Sequence, residues 1–78
     1  MTEVRMDAYE KLANAIIIQA AKDYRVAKRK LRRKPGNKDA RTEAESIERF
    51  FRSDWFCALS DVDGEMLIRK LNEEVNNP

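Results

Sequence analysis

The chain has 78 residues, of which 38% are charged, and a formal net charge of +2. A chain this short forms a single domain with a thin hydrophobic core. It contains no His and one Cys, Cys57, so an internal disulfide, every Cys/His zinc pattern and the commonest general base are excluded. We therefore expect a protein that is not an enzyme and that uses no cofactor, metal or small molecule.

The chain also lacks the sequence features of membrane insertion and export. No stretch approaches the roughly 20 apolar residues that span a bilayer, and residues 1–5 lack the apolar region of a signal peptide. A single unpaired thiol fits a reducing compartment. The sequence therefore predicts a cytoplasmic protein without membrane contact.

The charges are distributed unevenly along the chain. Residues 25–41 contain nine Lys and Arg against one Asp, whereas residues 42–78 contain four basic against nine acidic side chains. The near-neutral total thus hides a strongly polar molecule. The candidate binding residues are Arg25, Lys28, Arg29, Arg32, Arg33, Lys34, Lys38 and Arg41. Lys30 completes this basic segment.

The spacing of apolar residues predicts a small all-α domain of three main helices, the first of them long. Residues 7–34 contain no Gly or Pro, and their apolar side chains recur in steps of three and four. The turn at residues 35–37 ends this helix because proline cannot continue it. We expect the helix to be most buried near Ile17 and Ile18. The other residues of the apolar face are Tyr9, Ala13, Ile16, Ala20, Tyr24, Ala27 and Leu31.

Two further helices follow the turn. The second is predicted over residues 38–53, and Ser53 allows two alternatives: it lies within a helix that continues to residue 59, or it caps a short extra helix at 53–59. The third is predicted over residues 62–75, where Ser60 and Asp61 give a start signal before an acidic first turn.

Four of the six aromatic residues lie within the seven residues from Phe50 to Phe56. On a continuous helix Phe51 and Trp55 share one face, and we expect this cluster to form most of the core. The alternative is that one aromatic stays exposed as an interface anchor. Cys57 is expected to be a small buried hydrophobic residue.

The lengths of the helices predict which end of the first helix is less covered. The first helix spans roughly 40 Å and the third roughly 20 Å, so a bundle cannot cover both ends equally. Since most apolar residues precede residue 25, we expect the basic end to project, with Arg25, Arg29, Arg32 and Arg33 facing outward. The start of the second helix should bring acidic side chains beside it, namely Glu43, Glu45 and Glu48.

The cations between residues 25 and 34 surround most of the helix circumference at 100° per residue. Such a density predicts attraction to phosphate backbones by counterion release, without sequence specificity. Two alternatives stay open: an acidic protein partner, and a solvated helix end whose cations complement the helix dipole. No aromatic beyond Tyr24 is interleaved with the segment, so stacking on single-stranded bases is not indicated.

Three carboxylates at positions 61, 63 and 65 are candidate metal ligands, but their spacing is wrong for a calcium loop. If Gly64 occupied the sixth position of an EF-hand, Leu59 and Lys70 would occupy the first and twelfth, and neither is a ligand. Helix capping is the preferred explanation, and a magnesium-dependent nuclease built on these carboxylates is the alternative.

Residues 47–56 (IERFFRSDWF) and 59–71 (LSDVDGEMLIRKL) resemble small proteins found in prophages and mobile elements of Gram-positive bacteria. Residues 14–25 (NAIIIQAAKDYR) are similar to the opening of the same group. The resemblance implies a phage or prophage accessory protein acting in the host bacterial cell, without assigning site residues. Such proteins often bind nucleic acid, or bind and inhibit a host enzyme, including CRISPR and other defence nucleases.

These observations lead to two expected functions. The first is a non-catalytic accessory protein that binds nucleic-acid backbone or a nucleoprotein complex through its basic helix end. The alternative is an inhibitor of a host defence or nucleic-acid-processing protein, similar to an anti-CRISPR protein, that acts through protein contacts. A homodimer that buries Ile17 and Ile18 is left open.

Overall fold

The computed structural model describes the backbone of residues 2–76 and the side chains of residues 10–76. This part of the chain forms four α-helices and no strand: α1 (Thr2–Arg33), α2 (Lys38–Phe51), α3 (Asp54–Leu59) and α4 (Gly64–Asn76). The predicted all-α class, with a long first helix and a short extra helix, is confirmed. None of the helices described is long and apolar enough to cross a membrane.

Helix α1 begins at Thr2, earlier than the predicted residue 7, and ends close to the predicted position. The prediction followed the apolar pattern, which starts at Tyr9, and the Tyr9 side chain lies outside the described residues. At the other end the Lys34 N–H donates to the Lys30 carbonyl at 2.9 Å, and Pro35 stops the helix because it has no N–H to donate.

Helix α2 begins after Asn37, whose side chain accepts a hydrogen bond from the Ala40 N–H at 3.1 Å. Ser53 then separates α2 from α3. Its hydroxyl donates to the Phe50 carbonyl at 2.6 Å and accepts from the Phe56 N–H at 3.1 Å. One hydroxyl therefore satisfies a carbonyl at the end of α2 and an N–H at the start of α3, and the helix breaks at Ser53.

Helix α4 begins two residues later than predicted. The cap is Asp63, whose carboxylate accepts from the Glu65 N–H at 3.0 Å and whose carbonyl accepts from the Leu67 N–H at 3.0 Å. The Ser60 hydroxyl accepts from the Val62 N–H at 3.1 Å and so stabilises the turn before the helix. The preferred capping explanation thus holds for Asp63.

The core forms where α1, α2 and α4 meet. Its largest fully buried side chains are Tyr24, Phe51, Phe56 and Leu71. The Tyr24 hydroxyl donates to Glu48 Oε2 at 2.6 Å and accepts from Asn72 Nδ2 at 3.0 Å. This buried phenol therefore links α1 to both of its neighbours. Small residues complete the cluster and let the helices approach closely: Ala21, Ala27 and Ala44.

The aromatic cluster is only partly buried. Phe51 and Phe56 are fully buried with ring centroids 5.4 Å apart, whereas Trp55 is 59% exposed. Phe51 and Trp55 would share a face only on a continuous helix, and the break at Ser53 restarts the helical phase and turns Phe56 inward. The alternative of one exposed aromatic therefore holds for Trp55. The same break exposes Cys57, so its predicted burial is wrong.

The less covered end of α1 is its N-terminal half, not the basic end that was predicted to project. Leu12 is 61% exposed and Ile18 is 54% exposed, whereas Tyr24 and Ala27 are buried. The prediction failed because helix length gives no information on where α4 docks. Helix α4 packs on the C-terminal half of α1, where Asn72 reaches Tyr24.

Gly64 provides a test of the packing between α2 and α4. A Cβ at this position would lie 1.9 Å from the Phe51 carbonyl oxygen, so Gly64→Ala must displace backbone. We expect it to lower the free energy of unfolding by about 1–3 kcal/mol in urea titrations followed by circular dichroism, although Ala is the better helix former.

The matched control is Gly36→Ala, where an added Cβ would have no heavy atom within 4 Å beyond its chain neighbours and φ is not positive. It should be neutral or stabilise by up to about 1 kcal/mol, and equal stability of the two variants would contradict the described contact.

Tyr24→Phe tests the buried phenol. The substitution keeps the ring but removes two buried hydrogen bonds, one to Glu48 and one from Asn72, so we expect a loss of about 1–3 kcal/mol in the free energy of unfolding. Glu48 keeps its ion pair with Arg52, and Asn72 keeps its hydrogen bond to the Ile68 carbonyl. An unchanged urea midpoint would show that the two hydrogen bonds do not contribute.

The same variant gives a distinct pH dependence. Burial, reinforced by the hydrogen bond to Glu48, raises the pKa of Tyr24 above its ordinary value of 10.0. The unfolded chain therefore ionises first as the pH rises, and the wild type loses stability above pH 10 by up to about 1.4 kcal/mol per pH unit. Tyr24→Phe lacks this component, so the stability gap between the two proteins should narrow above pH 10 in denaturation measured across that range.

Candidate nucleic-acid interface

The basic segment occupies the last turns of α1, the connecting turn and the start of α2. Its side chains divide into a group with intramolecular partners and a group without. The second group makes no hydrogen bond or ion pair with any described residue, and all of its members are exposed: Arg29, Lys30, Arg33, Lys34 and Lys38. We refer to these five residues as the basic face.

Four of the predicted binding residues contact the domain itself. Arg25 pairs with Glu74 at 2.7 Å, and the Arg32 guanidinium donates to the Val75 carbonyl near the end of α4. The Lys28 ammonium lies 5.9 Å from the centroid of the Tyr24 ring.

Arg41 makes the fourth contact, because its guanidinium donates to the Pro35 carbonyl at 3.0 Å.

The predicted outward orientation is wrong for Arg25, which is half-buried beside α4 and pairs with Glu74. The cations do not surround the helix uniformly, since the side toward α4 is engaged. They leave exposed faces instead of surrounding the helix.

The acidic neighbours of the segment also differ from those expected. Glu48 contacts Tyr24 and Arg52 instead of the basic segment. Glu43 and Glu45 form no ion pair with it among the described residues. The described carboxylate that pairs with a cation of the segment is Glu74 of α4, and no described carboxylate of α2 forms an ion pair with the basic face.

The basic face continues along α1 toward its middle. Lys22 lies seven residues before Arg29 and eleven before Arg33, so the three share the side of α1 opposite Tyr24. All three are exposed, and Val26 between them is 47% exposed. The sequence analysis did not include Lys22, because it lies outside the dense basic segment. Its spacing of seven residues from Arg29 nevertheless indicates that the two share one side of the helix.

A shallow pocket of about 400 Å³ lies beside the C-terminus of α4. It is lined by Arg29, Arg32, Arg33 and Val75. Guanidinium groups are suited to bidentate contact with phosphate oxygens. The structure thus brings three of the predicted binding residues together around one shallow pocket.

The acidic residues before α4 do not form a comparable site. Asp63 caps the helix, and Glu65 forms an ion pair with Arg52. That hydrogen bond to Glu65 raises the pKa of Arg52. Within the described side chains no group of three or more potential ligands could hold a metal ion.

Comparison of the chain with known protein families, curated proteins and solved structures finds no match. The site is therefore interpreted from its own residues.

The basic segment contains cations with and without partners among the described residues, and removing the two kinds should affect the free energy of unfolding differently. Arg32→Ala removes a contact to the end of α4 and should lower the free energy of unfolding by about 1 kcal/mol, and Arg25→Ala by about 0.5 kcal/mol because its ion pair is partly exposed. Arg29→Ala and Arg33→Ala should stay within about 0.5 kcal/mol of wild type. The four free energies of unfolding are measured by chemical denaturation. A larger loss for Arg29→Ala or Arg33→Ala than for Arg32→Ala would contradict this assignment of contacts.

Proposed function

We propose that this chain is a non-catalytic accessory protein of a phage or prophage that binds nucleic-acid backbone through its basic face. The observation that carries the proposal is a group of five exposed cations, from Arg29 to Lys38, that make no hydrogen bond or ion pair with any residue whose side chain the structure describes. A solvated helix end that complements its dipole needs only two or three charges. The excess is available for a partner.

The geometry of the face favours a duplex backbone. The stretch from Lys22 to Arg33 spans roughly 16 Å of helix, which corresponds to about five phosphates per strand when measured along the duplex axis. The basic face contains no aromatic ring, and neither does its continuation along α1 through Val26 to Lys22, so this surface offers charge without a stacking platform. Contacts of this kind position a protein on nucleic acid without reading its sequence.

The sequence resemblance to small prophage proteins supports the biological setting of this proposal, because such proteins often bind nucleic acid. The alternative function is inhibition of a host defence or nucleic-acid-processing protein through protein contacts. The observation that favours it is the exposure of Trp55, since exposed tryptophan is a frequent anchor of protein interfaces.

The proposal is tested by fluorescence anisotropy with generic duplex and single-stranded oligonucleotides between about 50 and 200 mM salt. We expect duplex binding whose logarithmic affinity falls with the logarithm of salt concentration at a slope of about −3 to −5, because four or five phosphates are neutralised. Absence of binding at the lowest salt would exclude this function and leave the inhibitor alternative.

The double variant Arg29→Ala/Arg33→Ala should weaken binding about tenfold or more and reduce the steepness of the salt slope by about two, one for each lost phosphate contact. Arg49→Ala/Arg69→Ala is the matched control, since it removes the same charge from exposed positions outside the basic face. Equal weakening by both double variants would show a net-charge effect and not a defined surface.

A further inference from the structure

An open apolar groove lies between α1 and the α2–α3 segment, nearer the N-terminus of α1 than the basic face. It has a volume of about 490 Å³, and its apolar walls are formed mainly by Ile16, Ala20, Ile47, Phe50 and Trp55. We call this the apolar groove. None of its lining residues belongs to the basic face, so the function proposed above does not use it.

Trp55 is the most prominent side chain of the groove. It is 59% exposed, and its ring packs edge-on against Phe50 with centroids 5.5 Å apart. Leu12, one turn before Ile16 on α1, is exposed and extends the apolar surface along the helix. A supported but exposed tryptophan beside a strip of aliphatic side chains is typical of an interface anchor.

The rim of the groove is acidic. Among the described residues that line it, Asp23 is the single charged one, and no Lys or Arg is present. Glu43 lies one turn before Ile47 on the same side of α2 and is exposed. Asp54 immediately precedes Trp55 and is also exposed. Phosphate would be repelled here, whereas a cationic partner would be attracted.

We propose that the apolar groove binds an amphipathic helix of a partner protein, in which Lys or Arg residues flank the apolar face. An apolar floor between helices accepts side chains spaced one helical turn apart, which is how grooves of this kind bind helices. The acidic rim at Asp23, Glu43 and Asp54 supplies the charge complementarity. This inference does not depend on nucleic-acid binding.

A second copy of the chain fits the groove less well. A two-fold dimer would place the same surface on both partners and bring two acidic rims together. The exposed basic side of α1 could supply the cations, but between Lys22 and Arg33 it offers only Val26 as an exposed large apolar residue. A foreign helix with a full apolar face therefore matches the groove better.

The test uses two synthetic helical peptides with the same Leu face, one flanked by Lys and the other by Glu. Binding of each labelled peptide to the full chain is measured by fluorescence anisotropy at moderate salt. We expect the Lys-flanked peptide to bind at least about tenfold more tightly. Trp55 is the only tryptophan of the chain. Its fluorescence emission maximum should move to shorter wavelength when the unlabelled Lys-flanked peptide binds, because the ring leaves water.

Two pairs of variants locate the binding. Trp55→Ala should weaken the Lys-flanked peptide about tenfold, whereas Met66→Ala, which truncates an exposed apolar residue on α4, should not. Glu43→Lys should weaken it more than Glu45→Lys, because Glu45 lies on the opposite side of α2. Since these positions are exposed, unchanged helicity will show that the variants remain folded.

Several outcomes would overturn the proposal. These are no binding of the Lys-flanked peptide, equal binding of both peptides, or equal effects of Glu43→Lys and Glu45→Lys. A dimer in light scattering that Trp55→Ala converts to monomer would assign the groove to a second copy instead. The Arg29→Ala/Arg33→Ala variant should bind the peptide as wild type does, so a failure of either proposal is recognised separately.

Discussion

The hydroxyl of Tyr24 is the point at which the three longer helices are held in register. It lies on α1, donates to Glu48 of α2 and accepts from Asn72 of α4, and its ring packs against Phe51 with centroids 6.3 Å apart. A buried phenol that lost either partner would carry an unsatisfied polar group. A slip of α2 or α4 along α1 is therefore costly, and the arrangement around Tyr24 fixes the rest of the domain.

Both candidate surfaces follow from this register. With Asn72 at Tyr24, the end of α4 comes beside the last turns of α1, where it engages Arg25 and Arg32. Of the remaining cations, Arg29 and Arg33 line the pocket beside Val75 and make no hydrogen bond or ion pair with any described residue.

With Glu48 at Tyr24, the end of α2 and the start of α3 lie beside the middle of α1. The groove forms there because Phe50 and Trp55 face the small Ala20 across a gap that no described side chain fills. The helix register seen at Tyr24 thus accompanies both the engaged cations and the groove.

Much of the fold was predictable because its signals are local. The turn at residues 35–37, the absence of breakers before it and the density of cations are all visible in short stretches of sequence. Ser53 was recognised as a position with two alternatives, and the structure selects the break. An exposed aromatic was one of the alternatives, but its identity as Trp55 and the exposure of Cys57 depend on that choice and could not be predicted.

Contacts between distant residues could not be predicted in the same way. The partners of Tyr24 lie 24 and 48 positions away, and those of Arg25 and Arg32 lie 49 and 43 positions away. Charge spacing on one helix does not show which cations a distant helix will engage. The sequence therefore indicated a basic end, and the docking of α4 decided which side chains form the face.

The continuity of α1 has a geometric consequence. No Gly or Pro interrupts the helix between Ala20, in the groove, and Arg33, on the basic face. They are thirteen positions apart, so they lie roughly 20 Å apart along the axis of α1. Each residue inserted between them would rotate one relative to the other by about 100° about that axis. Two ligands bound at these places would be held by a rigid helix at a fixed distance and a fixed angle about its axis. The effective concentration of one ligand at the other would therefore depend on that angle, and not on the length of a flexible linker.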